Sequence, residues 1–193
     1  MDPLSAFRTE VLRPIVTIVV PGSIATAPFV LLARYYFPQT YTLWEQHPSA
    51  FVTILTVCVL AVGFILEDLG GHIEKDLWDH RIKKKYQRHD EDWYKYLQLR
   101  LQDEIIGQRY IQDIKTRMKF ELSMVPALLI FLIGLIWTNA EYKLWSTCGS
   151  IVSSIIILII AAYLAYESFL SAEILSKTRK LILDAASGMA PKI

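Results

Sequence analysis

Cysteine is nearly absent from this chain, with Cys58 and Cys148 the only two in 193 residues. Both sit inside apolar stretches, which argues against a disulfide framework, and two cysteines are too few for a cysteine-based zinc site. They read as small buried residues. Also missing are a GxSxG elbow, a P-loop, a dinucleotide-binding glycine pattern and zinc-knuckle spacing. Acidic residues are abundant between 67 and 121 but interleaved with Lys and Arg, so no isolated carboxylate pair stands out as an acid/base couple. The expectation is a protein that is not an enzyme and carries no cofactor.

Four stretches lack charge altogether: about Pro14 to Ala33, Ser49 to Leu66, Met124 to Asn139 and Leu144 to Tyr166. About 20 apolar residues cross a hydrocarbon core of ~30 Å, so each stretch is a membrane-span candidate. The third reaches that length by extending back through Phe120, Leu122 and Ser123, which puts Glu121 near the headgroups. The spans are expected at about 14–36, 49–66, 122–139 and 144–166. Their interiors hold no Asp, Glu, Lys, Arg or His, which disfavours ion- and proton-coupled transport. A passive pore needs no such groups, but four helices are too few for a wide one without an oligomer.

What the chain does have is a strongly uneven distribution of positive charge. Of its 20 Lys and Arg, 12 lie between residues 67 and 121, while the two short connections between spans hold only Arg34 and Lys143. Basic segments stay in the cytoplasm during insertion, so both termini and the central segment are expected there. Tyr35, Tyr36, Tyr41, Trp44, Trp137, Tyr142 and Trp145 cluster at the opposite helix ends, as an outer interfacial belt would. The first span competes with a cleaved signal peptide, since Ala25-Thr26-Ala27 resembles a cleavage site. The apolar run continues through Phe29 to Ala33, which favours a retained helix. Pro21-Gly22 is expected to kink it.

The fold class that follows is an all-α integral membrane protein of two transmembrane hairpins, 1–66 and 122–166. A cytoplasmic helical insert occupies 67–121 and an amphipathic tail 167–193. Leu69, Ile73, Leu77, Trp78 and Ile82 keep helical spacing beyond Leu66, so the second span should continue out of the membrane through Gly70-Gly71, a bend or merely a weak point. A polar break at Gln87 to Asp92 follows, with Asp90 a suitable cap for a helix from Glu91. Trp93, Leu97, Leu101, Ile105, Ile111, Ile114 and Met118 then run into the third span. The tail carries Phe169, Leu170, Ile174, Leu175, Leu181, Ile182 and Leu183 and ends near Gly188 and Pro191; it packs on the insert or lies on the inner leaflet. Packing in an oligomer is favoured because Leu181-Ile182-Leu183 is too apolar for a free tail.

Four groups of residues invite a functional reading. His72, Asp76 and His80 are four apart, as metal ligands on one helix face can be, but the HExxH order is absent and an exposed polar stripe is the plainer reading. Arg81, Lys83, Lys84, Lys85 and Arg88 form a basic cluster able to attract anionic lipid, a nucleotide or a nucleic-acid end, although such runs are usually solvated helix faces. The insert balances its 12 basic residues with 12 acidic ones, which suits helical protein partners better than nucleic acid. Ser146, Gly149, Ser150, Ser153 and Ser154 make a small, polar surface for helix packing or, less simply, for lining a pore. Glu167 lies just past the fourth span, where it can pair with Lys119 or Arg117.

This plan resembles the small four-span membrane subunits of bacterial anti-phage defence systems, the Kiwa-type membrane subunit nearest. The resemblance covers the whole chain as architecture, with no residue motif, and no site is carried over from it. It implies an inner-membrane protein of a bacterium that senses phage-induced membrane disturbance and anchors a soluble cytosolic effector. The expected partners are the lipid bilayer, further copies of the chain, a tetramer as first estimate, and that effector. An oligomeric effector channel that disrupts the membrane when triggered is the alternative; a metal-dependent membrane enzyme using His72, Asp76 and His80 is the third.

Overall fold

The structure, a computed structural model, describes residues 13–85, 95 and 106–186. The expected break at Gln87 to Asp92, the Asp90 cap, the run Trp93, Leu97, Leu101 and Ile105, and Arg88, Gly188 and Pro191 lie outside the described residues. The described chain is all-helical: α1 (Ile15–Tyr36), α2 (Gln39–Gln46), α3 (Pro48–Lys84), α4 (Ile106–Tyr142) and α5 (Thr147–Ala186). Four of these, all but α2, are long and apolar enough to cross a membrane.

Local chemistry sets the helix limits. Pro21 has no N–H to offer the carbonyl one turn back, and just before it the chain widens into a π turn at Ile15–Val19, with the Val20 N–H donating to the Ile15 carbonyl. Pro48 stands at the first position of α3, where its missing N–H costs nothing. Between α4 and α5 the chain turns at Lys143, whose φ of 51° is left-handed. The Trp145 N–H is held there by Asn139 Oδ1 at 2.8 Å, and α5 begins at Thr147, three residues after the apolar stretch does. Asn139 thereby closes the turn with its own side chain.

α4 is the central helix, sharing a core with each of the other three. Within the spans, Ala25 of α1, Leu66 of α3 and Ala127 of α4 meet, flanked by Val62 and Ile130. On the other side of α4, Met124 and Leu128 pack with Ala161 of α5, together with Val20, Ile24 and Ile157. Beyond the apolar spans, at the basic end, Ile82 of α3, Ile111, Ile114, Met118 and Leu122 of α4, and Ala172 and Leu175 of α5 form the largest cluster. Ile73, Trp78 and Ile182 close over it. Ala25, in the sequence that resembles a cleavage site, is fully buried in this packing.

Glycines set how closely the spans approach. A Cβ on Gly22 would lie 2.2 Å from the Val59 carbonyl oxygen, and one on Gly63 2.2 Å from that of Ile18, so α1 and α3 cross backbone to backbone. Gly134 similarly takes the ring of Pro28, whose Cγ lies 2.5 Å from the Cβ position. Without a hydrophobic drive between helices in lipid, such close approach is how spans gain packing energy. Gly70-Gly71 does not interrupt the hydrogen-bonded run of α3: Gly70 faces the backbone of Leu122 and Ser123, and Gly71 faces open space.

Candidate functional site

The basic end of the bundle holds a connected polar network, built outward from Glu121. Glu121 lies one helical turn after Arg117 on α4, and its residue is only 3% exposed. Burying a carboxylate is costly unless it is paired and hydrogen-bonded. Here Arg117 Nε donates to Oε1 at 2.7 Å and Ser171 Oγ of α5 donates to Oε2 at 3.1 Å. The same guanidinium reaches Glu167 of α5 at 2.7 Å, so one arginine bridges two carboxylates on two helices. Of the two partners expected for Glu167, it is Arg117 that engages it.

Lys119 turns instead to α3, where its Nζ meets Glu67 at 2.7 Å. α3 and α5 are joined directly as well: Trp78 Nε1 donates to Ser168 Oγ at 3.1 Å, and the Trp78 ring meets Phe169 edge to face at 5.3 Å. Arg81 lies over the Trp78 ring, 5.7 Å from its centre. Each pair among α3, α4 and α5 is thus tied by a polar contact. Glu67, Glu121 and Glu167 are each engaged by a cation, an arrangement for holding helices in register.

At the aromatic end the ties run between α1 and α4. Tyr36 donates its hydroxyl to Glu141 and receives the indole N–H of Trp137 at 3.2 Å. The Tyr142 hydroxyl donates to the Leu31 carbonyl at 2.9 Å, and Tyr35 packs edge to face on both Tyr36 and Tyr142. Arg34 lies over the Tyr41 ring at 4.7 Å. The belt residues Tyr35, Tyr36, Tyr41, Trp44, Trp137, Tyr142 and Trp145 are all exposed here.

The other sequence candidates are placed as follows. His72, Asp76 and His80 are exposed; His72 stands 3.8 Å from Asp68, and no three His, Cys, Asp or Glu converge on a metal-sized site among the described residues. His72 and Asp76 instead rim a shallow groove with Leu69, Ile73, Leu77 and Pro126. Arg81, Lys83, Lys84 and Lys85 occupy the last turns of α3, with Arg81, Lys83 and Lys84 exposed. In α5, Ser153 and Ser154 donate to the Ser150 carbonyl at 3.0 and 2.7 Å, and the Gly149 N–H donates to Ser146 Oγ at 3.2 Å. A Cβ on Gly149 would meet only Ser146 and Trp145, so among the described residues no other helix packs against that position. Cys58 and Cys148 are exposed on the apolar surface, contrary to the expectation that both are buried. In a span, the lipid-facing side is as apolar as a core, and hydropathy alone does not separate the two.

Sequence reasoning placed Glu121 at the headgroups and gave it no role; the structure buries it between α4 and α5. Its one local signal is Arg117 at the i−4 position, while Ser171, the second donor, is fifty residues away. Gly63 also escaped notice, lying within an apolar run whose hydropathy it scarcely alters. In class the protein is an all-helical chain with four membrane-crossing candidates, the coarse architecture expected. No protein-family model, curated protein or solved structure matches it.

Proposed function

We propose that this chain is an oligomeric scaffold or sensor of the bacterial inner membrane, with its basic end and both termini in the cytoplasm. There it recruits a soluble effector, in the manner of the Kiwa-type membrane subunits it resembles. The observation that carries this reading is the contrast at the basic end between a packed interior and an apolar exterior. Met118, Leu122 and Ile82 are almost wholly buried, which makes the three-helix end a firm platform. Leu77, Tyr110, Ile174 and Leu181 remain 43–51% exposed on it, outside the spans where lipid would cover them. Exposed large apolar groups in an aqueous region suit a protein partner.

The test is co-purification in mild detergent with the soluble protein encoded beside this chain. Wild type is expected to retain that protein, and Leu77→Glu with Leu181→Glu to release it while the chain still purifies as an oligomer. Recovery of self-association alone would count against recruitment. The channel reading draws on α5, where among the described residues no other helix packs against Gly149. Conductance of the reconstituted protein is its test.

A further inference from the structure

Carboxylates at the two ends of the bundle are held in different ways. Glu67, Glu121 and Glu167 at the basic end each meet a cation. Glu141, half-buried at the aromatic end, meets none among the described residues and accepts the Tyr36 hydroxyl instead. A phenol hydrogen bond steadies a carboxylate without removing its charge, and the two oxygens can accept about four bonds between them. Glu141 therefore keeps a negative charge to offer.

Aromatic rings surround that charge. Trp137 lies one turn before Glu141 on α4, and its indole N–H donates to the Tyr36 hydroxyl at 3.2 Å, so Trp137, Tyr36 and Glu141 form one hydrogen-bonded chain. The Tyr36 and Trp137 ring centres are 6.0 Å apart at 62°. Tyr35 meets Tyr36 at 5.1 Å and 81°, and Tyr142, pinned by its hydroxyl to the Leu31 carbonyl, meets Tyr35 at 5.3 Å and 66°. Rings set at such steep angles touch by their edges, and the four residues remain 37–48% exposed. Aromatic faces carry negative potential and attract an ammonium group within about 6 Å of the ring centre. One ring of this end already does so, since Arg34 lies 4.7 Å over Tyr41. Among the described residues no cation covers the four rings beside Glu141.

We infer that Glu141, with Tyr35, Tyr36, Trp137 and Tyr142, binds the ammonium of a phosphatidylethanolamine headgroup in the leaflet at the aromatic end. The carboxylate accepts the ammonium N–H groups, and the ring faces share its charge. Belts of Tyr and Trp sit at the headgroup level, so a lipid amine is present at this depth at high local concentration. The site lies at the opposite end from the surface proposed for an effector. It rests on the membrane reading alone, so loss of effector binding leaves it untouched.

The test uses the full chain in detergent, with retained lipid counted by native mass spectrometry as phosphatidylethanolamine or phosphatidylglycerol is titrated in. Wild type is expected to prefer phosphatidylethanolamine. Glu141→Gln keeps the side-chain shape and should weaken that preference about five-fold, the upper worth of a partly exposed ion pair. Trp137→Leu removes one ring face and should weaken it about two- to five-fold. Glu45→Gln, at the other carboxylate of this end, should leave it unchanged. Trp137 is exposed, so its substitution carries the test if Glu141→Gln fails to fold. An equal loss from Glu45→Gln, or no loss from Glu141→Gln and Trp137→Leu, would overturn the site as mere surface charge. Full displacement of phosphatidylethanolamine by millimolar free ethanolamine would overturn the lipid assignment in favour of a soluble amine.

Discussion

The two halves of this molecule are held together by opposite kinds of residue. At the basic end the contacts are made by large side chains, with Met118, Leu122 and Ile82 at the centre and charged partners around them. Within the spans they are made by small ones, Gly22 against Gly63, Gly134 against Pro28, and Ala25 against Ala127. The difference follows from the solvent. In water, burying a large apolar group is itself the driving force, whereas in lipid it gains almost nothing and close backbone approach must supply the packing. The most apolar helices are accordingly the least buried: only 11% of the apolar window of α3 and 6% of that of α5 is covered, against 44% for α4.

Substitutions at matched positions can break or sharpen this contrast. Met118→Ala, at a residue 1% exposed, is expected to cost about 2–5 kcal/mol and to lower the thermal unfolding midpoint in detergent more than any other single change here. Gly63→Val should cost about 1–3 kcal/mol, since its side chain would begin 2.2 Å from a carbonyl oxygen of α1 and force the helices apart. A cysteine pair across α1 and α3 that cross-links in wild type and not in the variant would report that separation. If Gly63→Val melts like wild type, the small-residue account of the spans fails.

Glu121→Gln retains the shape but removes the charge that Arg117 and Ser171 satisfy. About 1–3 kcal/mol should be lost. The effect belongs toward the lower end because the Arg117 side chain is 61% exposed and screened by solvent. Trp78→Phe, which deletes the indole N–H bond to Ser168 and trims the ring that meets Phe169, should cost about 1–2 kcal/mol by the same melting measurement. Smallest of all, Ile159→Ala at a residue 63% exposed on α5 should change stability by less than about 0.5 kcal/mol. A loss of oligomer in chemical cross-linking of that variant would mean that the α5 face meets another copy instead of lipid.

Parts of this architecture are legible in the chain because they depend on runs of residues. The spacing of Ile73, Trp78 and Ile82 announces that α3 continues past Leu66, and those three residues do pack into the basic-end cluster. Leu69 and Leu77, in the same periodic set, are exposed instead. The wide turn at Glu74–Asp79, which contains Leu77 and Trp78, alters the phase of the helix, so a strict 3.6-residue reading misassigns faces across it. α5 runs past the fourth apolar stretch without a break, and Ile182 is used within the chain while Leu181 faces outward. Glu121 shows the limit most clearly: the charge is visible in sequence, but not that a serine on another helix makes its burial affordable.

The number of spans and the segregation of charge to one end are properties of composition along the chain. A span is a length requirement on apolar residues, which needs no partner to be satisfied. Which face of each helix turns inward is a different matter. Lipid and protein core are equally apolar, so hydropathy cannot choose between them, and only the crossings at Gly22, Gly63 and Gly134 settle it. The arrangement of the charges is likewise tertiary. Arg117 holds two carboxylates on two helices because separate segments come together through packing around α4.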